Sequence, residues 1–194
     1  MQKNSMQKIK IITSTVREGS KGISLARWIT DKTKEKECFE VELLDLAAIN
    51  LPMMNEPYHP KLKNYQFNYT KKWSKTIDEA DAFIIVLAEY NYGMPAAIKN
   101  AIDYLHQEWQ YKPVAIMSYG GVSGGLRSSQ MMKQVVTTLN MMPIAQQVNI
   151  PFFDKKIDEK GVFQPDEIIV KSAEVMLAEL EKWSEMMQCM REDS

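Results

Sequence analysis

The chain has 194 residues, of which 45% are hydrophobic and 25% are charged, and its formal net charge at pH 7 is -1. A globular protein has this composition, and the length suffices for one domain with a buried core over residues 1–194. The near-neutral charge excludes a strong general attraction to nucleic acid or to an anionic membrane, and no apolar run is long enough to span a bilayer. We therefore expect neither a nucleic-acid partner nor a membrane partner.

The cysteines and histidines are few and far apart. Cys38 and Cys189 form no CxxC pair and suit a reducing compartment. Because the first ten residues also lack an apolar signal core, we expect a cytoplasmic protein. His59 and His106 have no second ligand at a metal-site spacing, so we expect no metal site.

The first half of the chain alternates strand and helix patterns. Residues 8–14 form a β-branched run that predicts a strand, and residues 20–37 carry apolar positions at helical spacing. Apolar and acidic residues alternate over 39–46, which predicts a strand near a sheet edge. The stretch 47–68 contains three prolines and little periodicity, so we interpret it as an excursion loop before a helix over 69–79.

The second half repeats this alternation. Residues 82–88 form a continuous apolar run, as in a strand buried on both faces of a parallel sheet, and a second buried strand is predicted over 113–119. The other predicted elements are helices over 95–107, 123–140 and 166–191, a last strand over 142–151 and a charged loop over 152–163. Five strands alternating with five helices predict an α/β doubly wound fold with a parallel sheet and right-handed crossovers.

Three segments of the chain combine glycine with hydroxyl residues. They are the first loop (13–22), the second loop (89–95) and the third loop (119–125), and together they hold seven of the eight glycines. Each follows a predicted strand, and in doubly wound sheets a ligand binds at the carboxyl ends of the strands. Glycines gathered at one end of a sheet indicate close approach of the backbone to a ligand.

The first loop offers hydroxyl groups, backbone N–H groups and one guanidinium group at the start of a predicted helix. This set suits a phosphate monoester, because the helix dipole favours an anion and Arg17 can donate two hydrogen bonds to it. In the alternative interpretation, Ser20 only caps the helix and Arg17 is solvated. The chain contains neither GxGxxG nor GxxxxGKS/T, which argues against a dinucleotide-binding Rossmann site and a nucleoside triphosphatase.

The second and third loops carry different chemistry. The second has two tyrosines, an asparagine and a glycine, which suit a planar heterocycle; the alternative is a tight turn with tyrosines packed on a neighbouring helix. The third has four glycines within six positions, which would leave backbone N–H groups free to face a ligand; the alternative is close packing of helix on strand.

Together the three loops resemble those of the NADPH-dependent FMN reductase family. The family pattern G-S-x-R-x-x-S corresponds to residues 14–20, P-E-Y-N-x-x-x-P to residues 88–95, and the glycine loop to residues 120–125. The chain departs from the pattern at Ser14, where the family has glycine, and at Ala88, where it has proline. The resemblance covers nearly the whole chain. It implies a flavodoxin-like, three-layer α/β/α fold with five parallel strands in the order 2-1-3-4-5.

Carried over residue by residue, the resemblance implies a non-covalent FMN site. The phosphate group would be bound by the first loop, through Thr15, Arg17 and Ser20. The ribityl chain and the isoalloxazine ring would be lined by the second loop, through Tyr90, Asn91, Tyr92 and Gly93. The pyrimidine edge of the ring would be reached by the third loop, through Gly120, Gly121 and Ser123. No catalytic acid or base is implied, because hydride passes directly from nicotinamide to flavin.

The implied function is electron transfer from NADPH or NADH, through FMN, to a small-molecule acceptor such as a flavin, a quinone or an azo compound. The family includes azoreductase-, quinone reductase- and chromate reductase-type members, which are typically homodimers or homotetramers. One alternative is a flavodoxin-like electron carrier that binds FMN but has no productive nicotinamide site. Specialised flavodoxins are strongly acidic, so the near-neutral charge argues against it. Another alternative is a binding module that has lost the cofactor.

The excursion loop is longer than the usual connection in a compact domain, and such loops are often functional. Its aromatic residues could form a wall over the flavin or meet a partner subunit; the alternative is a surface cover stiffened by its prolines. The aromatic residues that could do this are Tyr58, Tyr65, Phe67 and Tyr69.

Overall fold

A parallel sheet lies at the centre of the chain, which a computed structural model describes over residues 6–192. Its strands are β1 (Gln7–Thr13), β2 (Phe39–Leu44), β3 (Ala82–Ala88), β4 (Pro113–Tyr119), β5 (Met142–Pro143) and β6 (Val148–Ile150). Every residue of β3 and β4 is buried, because helices cover both faces of the sheet.

The strand order is β2-β1-β3-β4-β5, and β6 also pairs with β4. All of these pairs are parallel. The predicted order 2-1-3-4-5 and the α/β fold are therefore confirmed. The fifth position differs from the prediction, because the continuous strand expected over 142–151 is broken into two short strands. Pro143 has no N–H group for the ladder, and residues 145–147 leave the sheet before β6 begins.

The helices follow the predicted alternation. They are α1 (Gly22–Lys34), α2 (Leu46–Ile49), α3 (Asn68–Asp78), α4 (Ala96–Asp103), α5 (Leu126–Thr137) and α6 (Glu167–Glu192). Helix α2 begins at the last residue of the predicted strand 39–46 and runs into the predicted excursion loop, and the Asp45 side chain caps it by accepting from Ala47 N–H at 3.1 Å. Helix α5 begins three residues later than predicted, because Gly124 and Gly125 have positive φ angles of 60° and 83°. None of the helices within residues 6–192 has the length and apolarity required to cross a membrane.

Two apolar layers lie on opposite faces of the sheet. Helices α1 and α6 cover one face, where Leu25 and Leu180 are fully buried. Helices α3, α4 and α5 cover the other face, where Ile77 and Ile98 are fully buried. The three loops therefore emerge at the same end of a sheet that is covered on both faces, at the carboxyl ends of β1, β3 and β4.

Candidate functional site

The first loop presents a group of polar atoms with few partners inside the protein. The hydroxyl groups of Thr15 and Ser20 are 2.7 Å apart, and Ser20 N–H donates to the Arg17 carbonyl at 3.0 Å. The backbone N–H groups of Val16, Arg17 and Glu18 donate to no protein acceptor among residues 6–192. The Arg17 side chain is exposed and makes one long contact, at 3.5 Å, with the Glu18 carbonyl. Unpaired donors beside a guanidinium group favour an anion here.

Helix α1 starts directly behind this loop and adds to its positive potential. The residue preceding the helix, Lys21, provides no side-chain cap. Ser20 caps the helix only weakly, since its hydroxyl oxygen accepts from Gly22 N–H at a long distance of 3.4 Å. Ser24 N–H donates to the Lys21 carbonyl at 3.1 Å, whereas Ile23 N–H donates to no protein acceptor among residues 6–192 and remains available to a ligand.

The two departures from the family pattern contact each other. The hydroxyl oxygen of Ser14 accepts a hydrogen bond from Ala88 N–H at 2.9 Å. Proline at position 88 would have no N–H group, and glycine at position 14 would have no hydroxyl group. Ser14 is fully buried, so this bond stabilises the junction of β1 and β3 at the base of the site.

The second loop is a tight turn. Tyr90 and Gly93 exchange two backbone hydrogen bonds of 2.9 Å, and Asn91 and Tyr92 between them have φ angles of 48° and 70°. Positive φ at both central positions is typical of a type I′ turn, which favours asparagine and glycine and disfavours a bulky residue such as Tyr92. The turn leaves the side chains of Tyr90 and Tyr92 exposed, by 42% and 72%.

Glu89 connects the second loop to the third. Its carboxylate accepts hydrogen bonds from the Ser123 hydroxyl at 2.8 Å, from Arg127 N–H at 3.1 Å and from Arg127 Nη1 at 2.6 Å. Burial acts to raise the pKa of Glu89, but hydrogen bonds from these two residues outweigh it and hold the pKa below its ordinary value. The Arg127 guanidinium group also lies 3.9 Å from the centre of the Tyr92 ring. Sequence reasoning assigned no role to Glu89, which is half-buried and organises both loops.

The four glycines of the third loop divide into two kinds. A side chain at Gly124 would lie 3.0 Å from the backbone nitrogen of Pro151, and one at Gly125 would lie 2.8 Å from strand β4. Gly120 is also confined, since its Cβ position is 3.2 Å from Gly125 N. Nothing lies within 4 Å of the Cβ position of Gly121. Three of the glycines therefore serve packing, and only Gly121 faces open space where a ligand could lie.

The third loop also has free donors. The N–H groups of Gly121, Val122 and Ser123 donate to no protein acceptor among residues 6–192. The loop is held from below by Ser118, whose hydroxyl donates to the Gly124 carbonyl at 2.8 Å and accepts from Asn149 at 2.7 Å. Three adjacent N–H groups on a fixed backbone suit a carbonyl or anionic edge of a planar ligand.

The excursion loop is fixed in place by hydrogen bonds to helix α4 and by the carboxylate of Glu56 within the loop. Asn100 on α4 donates to the Pro52 carbonyl and accepts from Met54 N–H, both at 2.8 Å. Glu56 accepts from the backbone N–H groups of Gln66 and Phe67, at 2.8 and 3.1 Å, and closes the loop on itself. The loop is therefore ordered although most of it has no regular secondary structure.

Of the aromatic residues named for the excursion loop, Tyr65 points inward. It is 9% exposed and donates to the buried Glu108 carboxylate at 2.8 Å, so it forms no wall over a ligand. Phe67 and Tyr69 stack on each other with ring centres 5.2 Å apart. A cavity of about 220 Å³ lies between this loop, Val16 of the first loop and the start of α4.

The two histidines lie together but outside this site. Their ring centres are 6.5 Å apart beside a cavity of about 430 Å³ between α4 and α5. Within the described part of the chain, no group of three or more His, Cys, Asp or Glu side chains is arranged to hold a metal ion.

The family model for NADPH-dependent FMN reductases matches residues 7–155, which include all three loops. The chain belongs to the NADPH-dependent FMN reductase family. As a member of this family it is an oxidoreductase that uses FMN and NAD(P)H. The geometry fits FMN in two respects: the first loop has unpaired donors for a phosphate group, and Gly121 borders open space beside three free N–H groups.

Individual relatives agree with this assignment. An NAD(P)H-dependent FMN reductase of Nectria sp is 34% identical over 153 residues, covering 76% of each chain. Another, from Schizosaccharomyces pombe, is 39% identical over 136 residues, covering 69% of this chain and 68% of the relative. An NADPH azoreductase of Bacillus sp. is 30% identical over 143 residues, covering 73% of this chain and 75% of the relative.

The structural similarity extends over most of the chain. The flavoenzyme NAD(P)H:(acceptor) oxidoreductase of Paracoccus denitrificans superimposes with a TM-score of 0.68 at 21% identity. The match covers 94% of this chain and 97% of the other. At this identity the comparison shows the flavodoxin-like fold alone.

Proposed function

We propose that the first loop holds the phosphate group of FMN. Thr15 and Ser20 contribute hydroxyl groups, Arg17 contributes a guanidinium group, and the backbone adds the N–H groups of Val16 and Glu18. The observation that supports this most directly is the set of unpaired donors at the start of α1. Arg17 is free to reach the phosphate group because no carboxylate competes for it among its described contacts.

The other two loops are proposed to hold the ribityl chain and the isoalloxazine ring. In the second loop, the lining residues are Tyr90, Asn91, Tyr92 and Gly93. In the third loop, the ring edge lies beside Gly120 and Gly121, and Ser123 contributes its N–H group. The Ser123 hydroxyl is already donated to Glu89, so its backbone is the part that can bind the ring.

When bound, FMN would supply the redox chemistry of hydride and electron transfer between the nicotinamide and the acceptor. The residues of this chain bind and orient the cofactor, and no residue is assigned as a catalytic acid or base. The N–H groups of Gly121, Val122 and Ser123 would stabilise negative charge where it develops at the ring edge. Glu89 keeps these groups in place by holding Ser123 and Arg127.

The acceptor is proposed to be a small molecule such as a flavin, a quinone or an azo compound. The open position at Gly121 and the exposure of Tyr90 and Tyr92 support an accessible ring face. Such a face permits acceptors of different shape. We propose NADPH or NADH as the reductant.

We further propose a homodimer or homotetramer of a single domain spanning residues 1–194, located in the cytoplasm. Val16 and Met53 are exposed by 53% and 73% at the 220 Å³ cavity beside the first loop, which favours burial against a second copy. Two free cysteines are consistent with a reducing compartment. Light scattering of the purified protein would give its mass, and a monomer would contradict the oligomer.

The test of the function is an absorption spectrum of the purified protein with FMN, followed by anaerobic addition of NADPH. We expect a protein-bound flavin spectrum whose visible band bleaches rapidly, compared with FMN and NADPH without protein. Bound flavin that neither NADPH nor NADH reduces would favour the electron carrier. Absence of flavin binding would contradict the proposed site.

A further inference from the structure

Tyr119 brings a buried hydroxyl group to the first loop from a different strand. It is the last residue of β4, it is 4% exposed, and its ring makes an edge contact with Phe153 at 4.8 Å between centres. A Cβ atom built on Gly22 would lie 2.1 Å from the Tyr119 hydroxyl oxygen. The hydroxyl group therefore lies against the first residue of α1, where only glycine leaves room for it.

The path of this side chain depends on a second small residue. Strand β3 lies between β4 and β1, so the Tyr119 ring must pass over β3 to reach the first loop. The residue paired with Tyr119 on β3 is Ala88, which faces the same side of the sheet. Ala88 and Gly22 together provide the space that the ring occupies.

The Ser20 hydroxyl oxygen lies near the Tyr119 hydroxyl, since both border the Cβ position of Gly22, with the Ser20 oxygen 3.6 Å from it. Burial raises the pKa of Tyr119, and the nearby hydroxyl groups of Thr15, Ser20 and Ser14 oppose the rise. The phenol is thus protonated at neutral pH and can donate. A phenol is more acidic than an aliphatic hydroxyl, so in such a cluster it is the preferred donor and polarises the hydroxyl that accepts from it.

We propose that Tyr119 is a positioning residue for the phosphate group of FMN. With FMN bound, the Tyr119 hydroxyl would donate to the Thr15–Ser20 pair, whose hydroxyl oxygens are 2.7 Å apart, and the hydrogen of that pair would be directed at the phosphate group. Without this donor, the hydroxyl groups of Thr15 and Ser20 would hydrogen-bond mainly to each other. Fewer of their hydrogen bonds would then be available to the phosphate group. This inference rests on the proposed FMN site and adds a residue that the motifs of the three loops do not contain.

The experiment compares the affinities of FMN and riboflavin, which lacks the phosphate group, for the wild type and Tyr119→Phe. We expect FMN to bind about tenfold more weakly to Tyr119→Phe, because the Thr15–Ser20 pair would then offer less to the phosphate group, and riboflavin to bind unchanged. Tyr65→Phe is the matched control, since it removes another buried phenol hydroxyl away from the site. It should alter neither affinity.

Phosphorus NMR of bound FMN gives a second readout, in which the resonance should shift in Tyr119→Phe and not in Tyr65→Phe. An unchanged FMN affinity, an unshifted resonance, or equal loss of FMN and riboflavin would overturn the role of Tyr119 while leaving the FMN site intact. A wild-type protein that binds neither flavin would overturn the proposed function and this inference together.

Discussion

The first and third loops occupy equivalent places but are built differently. Each follows a buried parallel strand and leads toward a helix. The first loop keeps most of its donors unpaired, and its side chains contact mainly one another. The third loop is fixed by Glu89 and Ser118, and its glycines at 124 and 125 pack against neighbouring backbone. A loop that binds a ligand through its side chains can be recognised from its residue types. A loop that binds through backbone N–H groups is harder to recognise, because its shape depends on contacts with residues that are distant in the sequence.

The largest effect is expected from a side chain at the open position of the third loop. Gly121→Leu should fold normally, because its Cβ meets nothing within 4 Å and its φ is not positive. It should lower FMN affinity by more than about a hundredfold, because the side chain would occupy the space of the ring. Fluorescence titration with FMN and a thermal unfolding curve measure the two properties.

Gly125→Ala is the contrasting variant. It forces a Cβ into contacts of 2.8 Å at a φ of 83°, so it should lower the free energy of unfolding by about 1 kcal/mol or more. If Gly121→Leu bound FMN with wild-type affinity, the third loop would not face the ring.

The next effect concerns the first loop. Arg17→Ala should weaken FMN binding by about 1.5–3 kcal/mol, because it removes a charge-assisted contact to the phosphate group. Riboflavin should bind as before. Arg27→Ala, which removes an exposed arginine on α1, is the control for the change in net charge. Equal FMN affinity in Arg17→Ala and the wild type would exclude Arg17 from the site.

The protein should lose stability when the carboxylate of Glu89, which connects the second loop to the third, is neutralised. Glu89→Gln replaces an ionised acceptor of three hydrogen bonds, so it should lower the free energy of unfolding at pH 7 by about 1–2 kcal/mol. Urea denaturation of the protein without flavin measures this difference. A variant as stable as the wild type would show that the contacts of Glu89 do not hold the loop.

The smallest effect is the pH dependence of that difference. The pKa of Glu89 is lowered from 4.5 in the folded state, so its ionised form contributes stability above pH 4.5, and this is lost as the pH falls through the folded value. The gap between wild type and Glu89→Gln should be constant near neutral pH and shrink in acid. A gap that widened below pH 4.5 would contradict the lowered pKa.

Much of the sheet could be predicted from the sequence because its strands are locally apolar. Strand β3 has the predicted bounds, and β1 differs by one residue at each end. Helix α2 was missed, although Asp45 followed by an apolar residue is a signal for a short capped helix. The break in the last strand was also missed, despite Pro143, because pairing with β4 depends on tertiary contacts.

The candidate site was predictable to the extent that its residues act locally. Thr15 and Ser20 are five residues apart and meet within one loop. Glu89 meets Ser123 and Arg127, which are 34 and 38 residues away, so no local pattern indicates its role. The difference between Gly121 and Gly125 is likewise invisible in the sequence, because it depends on backbone angles and on the neighbouring strand.

The two edges of the sheet bear on resistance to aggregation. An exposed strand edge can template pairing with another chain, and charges or interruptions prevent it. On one edge, β2 carries the exposed residues Glu40 and Glu42, the latter paired with Lys10. On the other edge, the separation of β5 from β6 leaves no continuous strand for a second molecule to extend. The irregularity of the last strand thus protects the protein against edge-to-edge assembly.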